Sequence, residues 1–235
     1  MLIFLDTETT GLEVEDRVCS IGLIAVDKED TQVLYELVNE GKKLSPKASS
    51  INHLTNEMLK NKKPFKESEV YKFLEKHNNQ ESVLIAHNTT FDLEKLAASG
   101  FDFKGTVIDT LRVTKHLIPE CEFFSLQILR YELRLYKRET DEAAKCGIKD
   151  AIVAHNALSD ALVTKILFEY LLEMVSIEKM SELSFQKVLL SKFSFGKYQG
   201  KYIEEVSFND RAYLEWLLRL DDLDEDLKYS VEYYL

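Results

Sequence analysis

Runs and alternations of apolar residues divide the chain into a sheet-forming first part and a largely helical remainder. Leu2–Leu5 is a short apolar run that reads as a buried strand leading into Asp6. Val18–Asp27 and Gln32–Val38 are rich in β-branched and apolar residues and flank the polar stretch KEDT, which predicts an antiparallel meander of three strands. Helical spacing follows over Thr55–Lys60 and Ser68–His77. Val83–Ala86 reads as another buried strand, and Thr90–Ser99 as a helix closed by Gly100 just past its last turn. A strand at Thr106–Asp109 precedes helices near Thr110–Leu117 and Ser125–Leu133. The longest predicted helix covers Ala157–Met174, with apolar residues at 158, 162, 163, 166, 167 and 170–172.

The order β-β-β-α-β-α-β-α-α predicts an α/β domain, a mixed sheet flanked by helices, over residues 1–176. Residues 177–192 read as a helical connector. Residues 193–235 read as a small separate module, with two glycines at turn positions, an amphipathic helix and an acidic end.

Composition narrows the class. Of 235 residues, 45% are hydrophobic and 30% charged, an ordinary globular balance. A net charge of −11 argues against a protein that coats nucleic acid, which needs a basic footprint. The charge is uneven. Residues 1–30 carry 2 basic and 8 acidic groups, residues 221–235 carry 1 and 6, and the stretch between has 27 of each. Lys42, Lys43, Lys47, Lys60, Lys62, Lys63 and Lys66 make a locally basic stretch, either a solvated face or the surface that meets a nucleic acid. Cys19, Cys121 and Cys146 are odd in number and contain no CxxC pair, which fits neither a disulfide framework nor a zinc site. With no signal-like or membrane-spanning segment at the amino terminus, a reducing cytoplasm is the expected compartment.

Three acidic features carry candidate chemistry. Asp6 and Glu8 are two apart at the expected end of the first strand, so both side chains point to one side of the sheet. Paired carboxylates repel unless a cation sits between them, although D-x-E alone is an unspecific signal. Thr9, Thr10, Gly11 and Leu12 follow as a tight turn with two hydroxyls, suited to a sugar or phosphate. Asp92 lies in the first turn of the helix after Val83–Ala86. His155 and Asp160 lie at the start of the longest helix, where a five-residue gap separates side chains by about 140°. His155 is therefore expected in the turn before the helix, with Asp160 projecting from its first or second turn.

DTETTG at 6–11, HNTTFD at 87–92 and HNALSD at 155–160 together resemble the DEDDh (DnaQ-like) 3′–5′ exonucleases, of the ribonuclease T and epsilon-subunit type. The branch with tyrosine in the third motif would need it at Asn156. The resemblance implies a ribonuclease H-like fold and two Mg²⁺ or Mn²⁺ ions held by Asp6, Glu8, Asp92 and Asp160. It makes His155 the general base, as suits a side chain that titrates near neutrality. Two ions ~3.5–4 Å apart stabilise both the attacking and leaving oxygens of a phosphodiester displacement. It further implies substrate contacts: Thr9 and its neighbour Thr10 at the terminal 3′-OH, Leu12 as an apolar wedge between bases, and His87, Asn88 and Phe91 at the terminal nucleotide. Leu12 and Phe91 could equally be core. One departure is His53, where the family commonly has glycine.

FGKYQGKYIEEVSFNDRAYLEWLL resembles the module that follows the nuclease domain in exodeoxyribonuclease X-like proteins. Lys197, Tyr198, Lys201 and Tyr202 interleave cations with aromatics and would suit a nucleic-acid strand. The alternative is a docking element that buries Trp216 and Leu217. The resulting expectation is a metal-dependent exonuclease acting on the 3′ end of DNA, most simply single-stranded, in repair or replication. The rivals are an exonuclease for RNA or short oligonucleotides, and a proofreading or scaffold subunit that binds a polymerase or repair partner.

Overall fold

The computed structural model describes residues 1–28 and 30–235. Its centre is a five-stranded sheet: β1 (Leu2–Thr9), β2 (Val18–Asp27), β3 (Asp30–Leu37), β4 (Val83–Ala86) and β5 (Thr106–Asp109), in the order β3-β2-β1-β4-β5. The first three strands form the expected antiparallel meander, and β4 and β5 run parallel to β1. The expected KEDT turn includes Glu29, which lies outside the described residues.

β1 is longer than its apolar run suggests. It does not end at Leu5 but continues through the acids, with Asp6 opposite Gly22, Thr7 opposite Ile21 and Glu8 opposite Ser20. A register shift between Glu8 and Thr9 ends the regular pairing, a bulge of the kind that re-aims side chains. Ladder hydrogen bonds from β2 carry the strand past the point where hydrophobicity stops. β4, in contrast, pairs only as far as Phe4, so the acids project beyond its carboxyl end.

Alternation along β1 feeds two cores. Ile3 and Leu5 point to one face, with Ile21, Leu23, Leu84 and Phe101; Phe4 points to the other, with Ile24, Ile85 and Ile108. The second face is covered by α8 (Ala157–Leu172), apolar on almost every side and buried accordingly. It ends two residues before the expected Met174.

The remaining helices among the described residues are α1 (Pro46–Asn52), α2 (Asn56–Leu59), α3 (Glu69–Lys76), α4 (Thr89–Ala98), α5 (Thr110–Leu117), α6 (Leu126–Glu132), α7 (Glu139–Lys145), α9 (Ile177–Leu183), α10 (Ile203–Asn209), α11 (Arg211–Leu217) and α12 (Glu225–Tyr234). α1 and α7 were not expected, because both are polar and short. α1 is specified by its ends: Ser45 caps Ala48 N–H at 3.1 Å, Pro46 occupies the first turn, and His53 closes it at φ +59°. That left-handed position favours glycine, and here His53 occupies it.

Residues 193–235 have their own core of Phe193, Ile203, Val206, Leu214, Leu217, Leu227 and Val231. The acidic end forms a packed helix. α12 buries Leu227 and Val231, and its Asp226 accepts two hydrogen bonds at 3.0 Å from Arg112 on α5 and one at 2.9 Å from Val188 N–H. Trp216 does not dock: it is 51% exposed, while Leu217 faces the module's own core.

Gly22 decides where α8 sits. A Cβ there would come within 2.4 Å of Leu158 N and 2.5 Å of the Ala157 carbonyl carbon, so only glycine lets the start of α8 lie against the strand beside Asp6. Gly22→Ala is expected to cost about 1–3 kcal/mol of stability through overpacking and to displace the His155–Asp160 segment. Thermal unfolding followed by circular dichroism checks this; an unchanged midpoint would contradict the packing described.

Candidate active site

The carboxyl end of β1 collects side chains from three elements. Asp6 and Glu8 lie on the β1 face covered by α8. Asp92 is the fourth residue of α4, which follows β4, and Asp160 is the fourth residue of α8. His155 sits in the preceding turn at φ +58°. The structure brings these five together: Glu8, His155 and Asp160 offer ligand atoms within 4.8 Å of one another, and Asp6 feels the charges of Asp92, Asp160 and Glu8.

Two of the acids are pinned. Thr7 donates both its backbone N–H (3.0 Å) and its hydroxyl (2.7 Å) to one oxygen of Asp92, which is only 3% exposed. Asp160 accepts Gln127 Nε2–H at 2.7 Å on one oxygen and His155 N–H at 3.0 Å on the other. That second bond closes the turn that His155 occupies. Gln127 is held in turn by Arg130 at 3.2 Å, and Arg130 by two hydrogen bonds to Glu139.

Asp6 and Glu8 have no comparable support. Among the described residues, neither carboxylate accepts a hydrogen bond. Burial, and then repulsion from the other acids, raises the Asp6 carboxyl well above its usual range and pushes Glu8 up to about 8. Burial likewise lifts Asp92 to about 7 and Asp160 to about 6, against the opposing hydrogen bonds just described. Oxygen-only acidic donors, two of them unpartnered and crowded by like charge, suit a hard divalent cation.

The loop after β1 is built around Asp16. Its carboxylate accepts the Thr10 hydroxyl at 2.7 Å and Glu13 N–H at 3.0 Å, and a Cβ on Gly11 would strike it at 2.3 Å. Burial alone would raise Asp16, but Thr10, Glu13, Lys42 and Lys95 together hold it below its usual range. Lys95, buried on α4, reaches back to the Glu13 and Asp16 carbonyl oxygens. Asn52 on α1 donates to the Thr9 carbonyl oxygen at 3.3 Å.

The residues expected at the substrate fall into two groups. Leu12 is 73% exposed beside the site, and Asn88 is exposed at φ +70° with its N–H given to Asp109. Phe91 is half-buried, its ring 5.4 Å from Lys95 Nζ, and the Thr9 hydroxyl donates to Gly11 O at 2.7 Å. Thr10 is turned inward onto Asp16. His87 is also committed: Nε2–H donates to the Phe124 carbonyl oxygen at 2.8 Å, and Nδ1 lies 3.0 Å from the Thr110 hydroxyl. Burial lowers its affinity for a proton, so it stays neutral as a brace between β4 and the segment before α6.

Comparisons with known proteins bear on this geometry. Residues 3–168 match the RNase T family model, described as an exonuclease. The chain belongs to this exonuclease family. It is therefore a hydrolase, and the DEDDh resemblance of its three motifs lies within the matched residues. Residues 193–221 match the exodeoxyribonuclease X-like C-terminal family. Exodeoxyribonuclease 10 of Escherichia coli is 27% identical over 241 aligned residues, covering 100% of this chain and 99% of that protein. The DNA polymerase III subunit epsilon of Treponema pallidum is 32% identical over 168 residues, 65% of this chain and 76% of that one. The solved structure of exonuclease X in complex with 5′ overhanging duplex DNA shares the fold, with a TM-score of 0.61 at 22% identity over 78% of this chain and 99% of that one.

Sequence reasoning missed Thr7, Asp16, Gly22, Lys95 and Gln127. Gly22 alone carried a signal, an isolated glycine inside a strand. The others are ordinary polar residues until the fold gives them a partner.

In the absence of divalent ions the carboxylate pair Glu8 and Asp92 stays protonated in the fold up to about 8 and 7, but ionises near 4 once unfolded. The folded state then binds more protons, so stability falls as pH rises through that range. His77, His87 and His116, whose proton affinity burial lowers, act with the opposite sign but only below about pH 6.5. The unfolding midpoint in EDTA should therefore drop from about pH 6.5 to 8, and added Mg²⁺ should raise it more at the higher pH. A midpoint in EDTA that holds steady or rises over this interval would contradict the electrostatics described.

Proposed function

We propose that this chain is a divalent-metal-dependent 3′–5′ exonuclease that removes nucleoside 5′-monophosphates from the 3′ end of DNA. The observation that carries the reading is the convergence of Asp6, Glu8, Asp92 and Asp160 with His155 at one end of β1. Asp6, Glu8, Asp92 and Asp160 would hold two Mg²⁺ or Mn²⁺ ions, which when bound neutralise charge and stabilise the attacking and leaving oxygens of the displacement.

The protein's own groups supply orientation and proton transfer. His155 takes the proton from the attacking water at a ring nitrogen, the water oxygen bonds to phosphorus as the bond to the penultimate nucleotide's 3′-oxygen breaks, and that oxygen takes a proton from solvent. Asp160 holds the His155 turn through the backbone N–H, so a single carboxylate fixes both base and site. Leu12, apolar yet exposed, supports the expected wedge between the last two bases. Thr9, Asn88 and Phe91 would border the terminal nucleotide, whereas Thr10 and His87 shape its walls from behind.

In this reading residues 1–176 are the nuclease domain, 177–192 a connector and 193–235 a C-terminal module, working in a reducing cytoplasm in repair or replication. The module's similarity to the exodeoxyribonuclease X-like C-terminal family supports DNA as substrate. The likeness to a polymerase III epsilon subunit supports a second reading, a proofreading role beside a polymerase. Among the described residues no helix is long and apolar enough to cross a membrane.

The deciding test is Mg²⁺-dependent nucleotide release by the wild type and Asp6→Ala on matched labelled DNA and RNA strands. Release from DNA, reduced at least 100-fold by the substitution, is the expected result. Equal release from both proteins would overturn the site, and trimming of RNA with DNA untouched would overturn the substrate.

A further inference from the structure

We infer that the surface formed by the end of α6 and the short 3-10 turn after it (Leu135–Lys137) is a track for the single strand whose 3′ end occupies the carboxylate site, an inference that rests on the nuclease reading above. The segment 130–138, RYELRLYKR, carries four basic groups and one acid in a chain of net charge −11. Arg130 and Arg138 are spent on Glu139 and Glu169. Arg134 and Lys137 are exposed, and among the described residues neither forms an ion pair. Arg134 and Lys137 are thus two unpaired cations within one nine-residue segment.

Two exposed aromatic rings belong to the same segment. Tyr131 is 61% exposed and Tyr136 42%, with ring centroids 5.5 Å apart and planes inclined by 34°. The Arg130 guanidinium lies 5.5 Å from the Tyr131 ring centre and is locked by its two hydrogen bonds to Glu139, so Tyr131 is backed by a fixed group. Alternating rings and cations on one surface are what a flexible nucleic-acid strand needs: bases stack on the rings and phosphates meet the cations, with no sequence read.

Position ties this surface to the chemistry. Gln127, whose amide holds Asp160, is one helical turn before Tyr131, about 6 Å along the axis of α6. A strand leaving the carboxylates past Gln127 reaches Tyr131 first and Arg134, Tyr136 and Lys137 beyond it. In the C-terminal module Lys197 is paired with Asp210 at 2.9 Å, while Lys192 lies 4.7 Å from the ring centre of the exposed Tyr202.

The test uses the full-length protein with two double variants, Tyr131→Ala/Tyr136→Ala and Arg134→Gln/Lys137→Gln. Binding of a long fluorescein-labelled oligothymidylate is measured by anisotropy in EDTA, and hydrolysis with Mg²⁺ on that strand and on a dinucleotide too short to reach the track. The tyrosine variant, which removes two stacking rings, should weaken binding by about 30-fold or more. The charge variant should reduce the steepness of log K against log salt by about 1.4. In both, the ratio of kcat/KM on the long strand to that on the dinucleotide should fall. Unchanged binding and an unchanged ratio would overturn the track, as would equal losses on both substrates, which would place these residues in the support of the site. A wild type that binds the strand through these residues but releases no nucleotide would sink the nuclease reading and leave the track standing.

Discussion

Mutual repulsion among four carboxylates is the constraint around which this fold is arranged. Asp6, Glu8, Asp92 and Asp160 come from β1, α4 and α8, elements packed through the two apolar cores and adjusted at the site by polar and steric devices. β2 extends β1 past its apolar run, and the missing side chain at Gly22 admits the start of α8. Thr7 fixes Asp92, while Gln127 and the His155 N–H fix Asp160. Asp6 and Glu8 are left without donors, so their charge has to be answered from outside the polypeptide. The packed cores on both sheet faces supply the stability against which that electrostatic cost is set.

Residues left free at the surface near the carboxylates are distinct from those that brace the site. His87, Thr10 and Asp16 stand within or beside the motifs, yet their polar atoms are consumed in bracing β4 and the loop after β1. Leu12 and Asn88 are left free at the surface. Buried networks behind the site, above all Glu139–Arg130–Gln127–Asp160, carry rigidity from α7 through α6 to the start of α8. α6 is therefore both a brace for Asp160 and, on its exposed side, the base of the aromatic and cationic surface around Tyr131. At the other end of the chain, Asp226 joins α12 to Arg112 and makes an acidic segment part of the packed structure.

Much of this was legible in the residues. The chain order of the five strands and the antiparallel meander of the first three followed from β-branched runs and turn residues, and the five catalytic candidates from three short motifs and their spacing; the parallel pairing of β4 and β5 did not. What was not legible has physical reasons. The end of β1 lies in acids that only pairing with β2 keeps extended. α1 and α7 bury little and are set by capping and charge rather than by an apolar stripe. Gln127 and Thr7 are unremarkable in sequence because their roles depend on partners 33 and 85 residues away. For Trp216, whose burial was one of two open alternatives, about half of the residue faces solvent.

Without divalent cations Asp6 and Glu8 hold protons near neutral pH, and cation binding displaces them. Calorimetric titration of Mg²⁺ near pH 7 in two buffers of different ionisation enthalpy measures that exchange directly, because ligands must lose their protons to bind. Net proton release on binding, abolished together with binding in Glu8→Gln, is the predicted result. Binding whose heat is independent of the buffer would contradict the account.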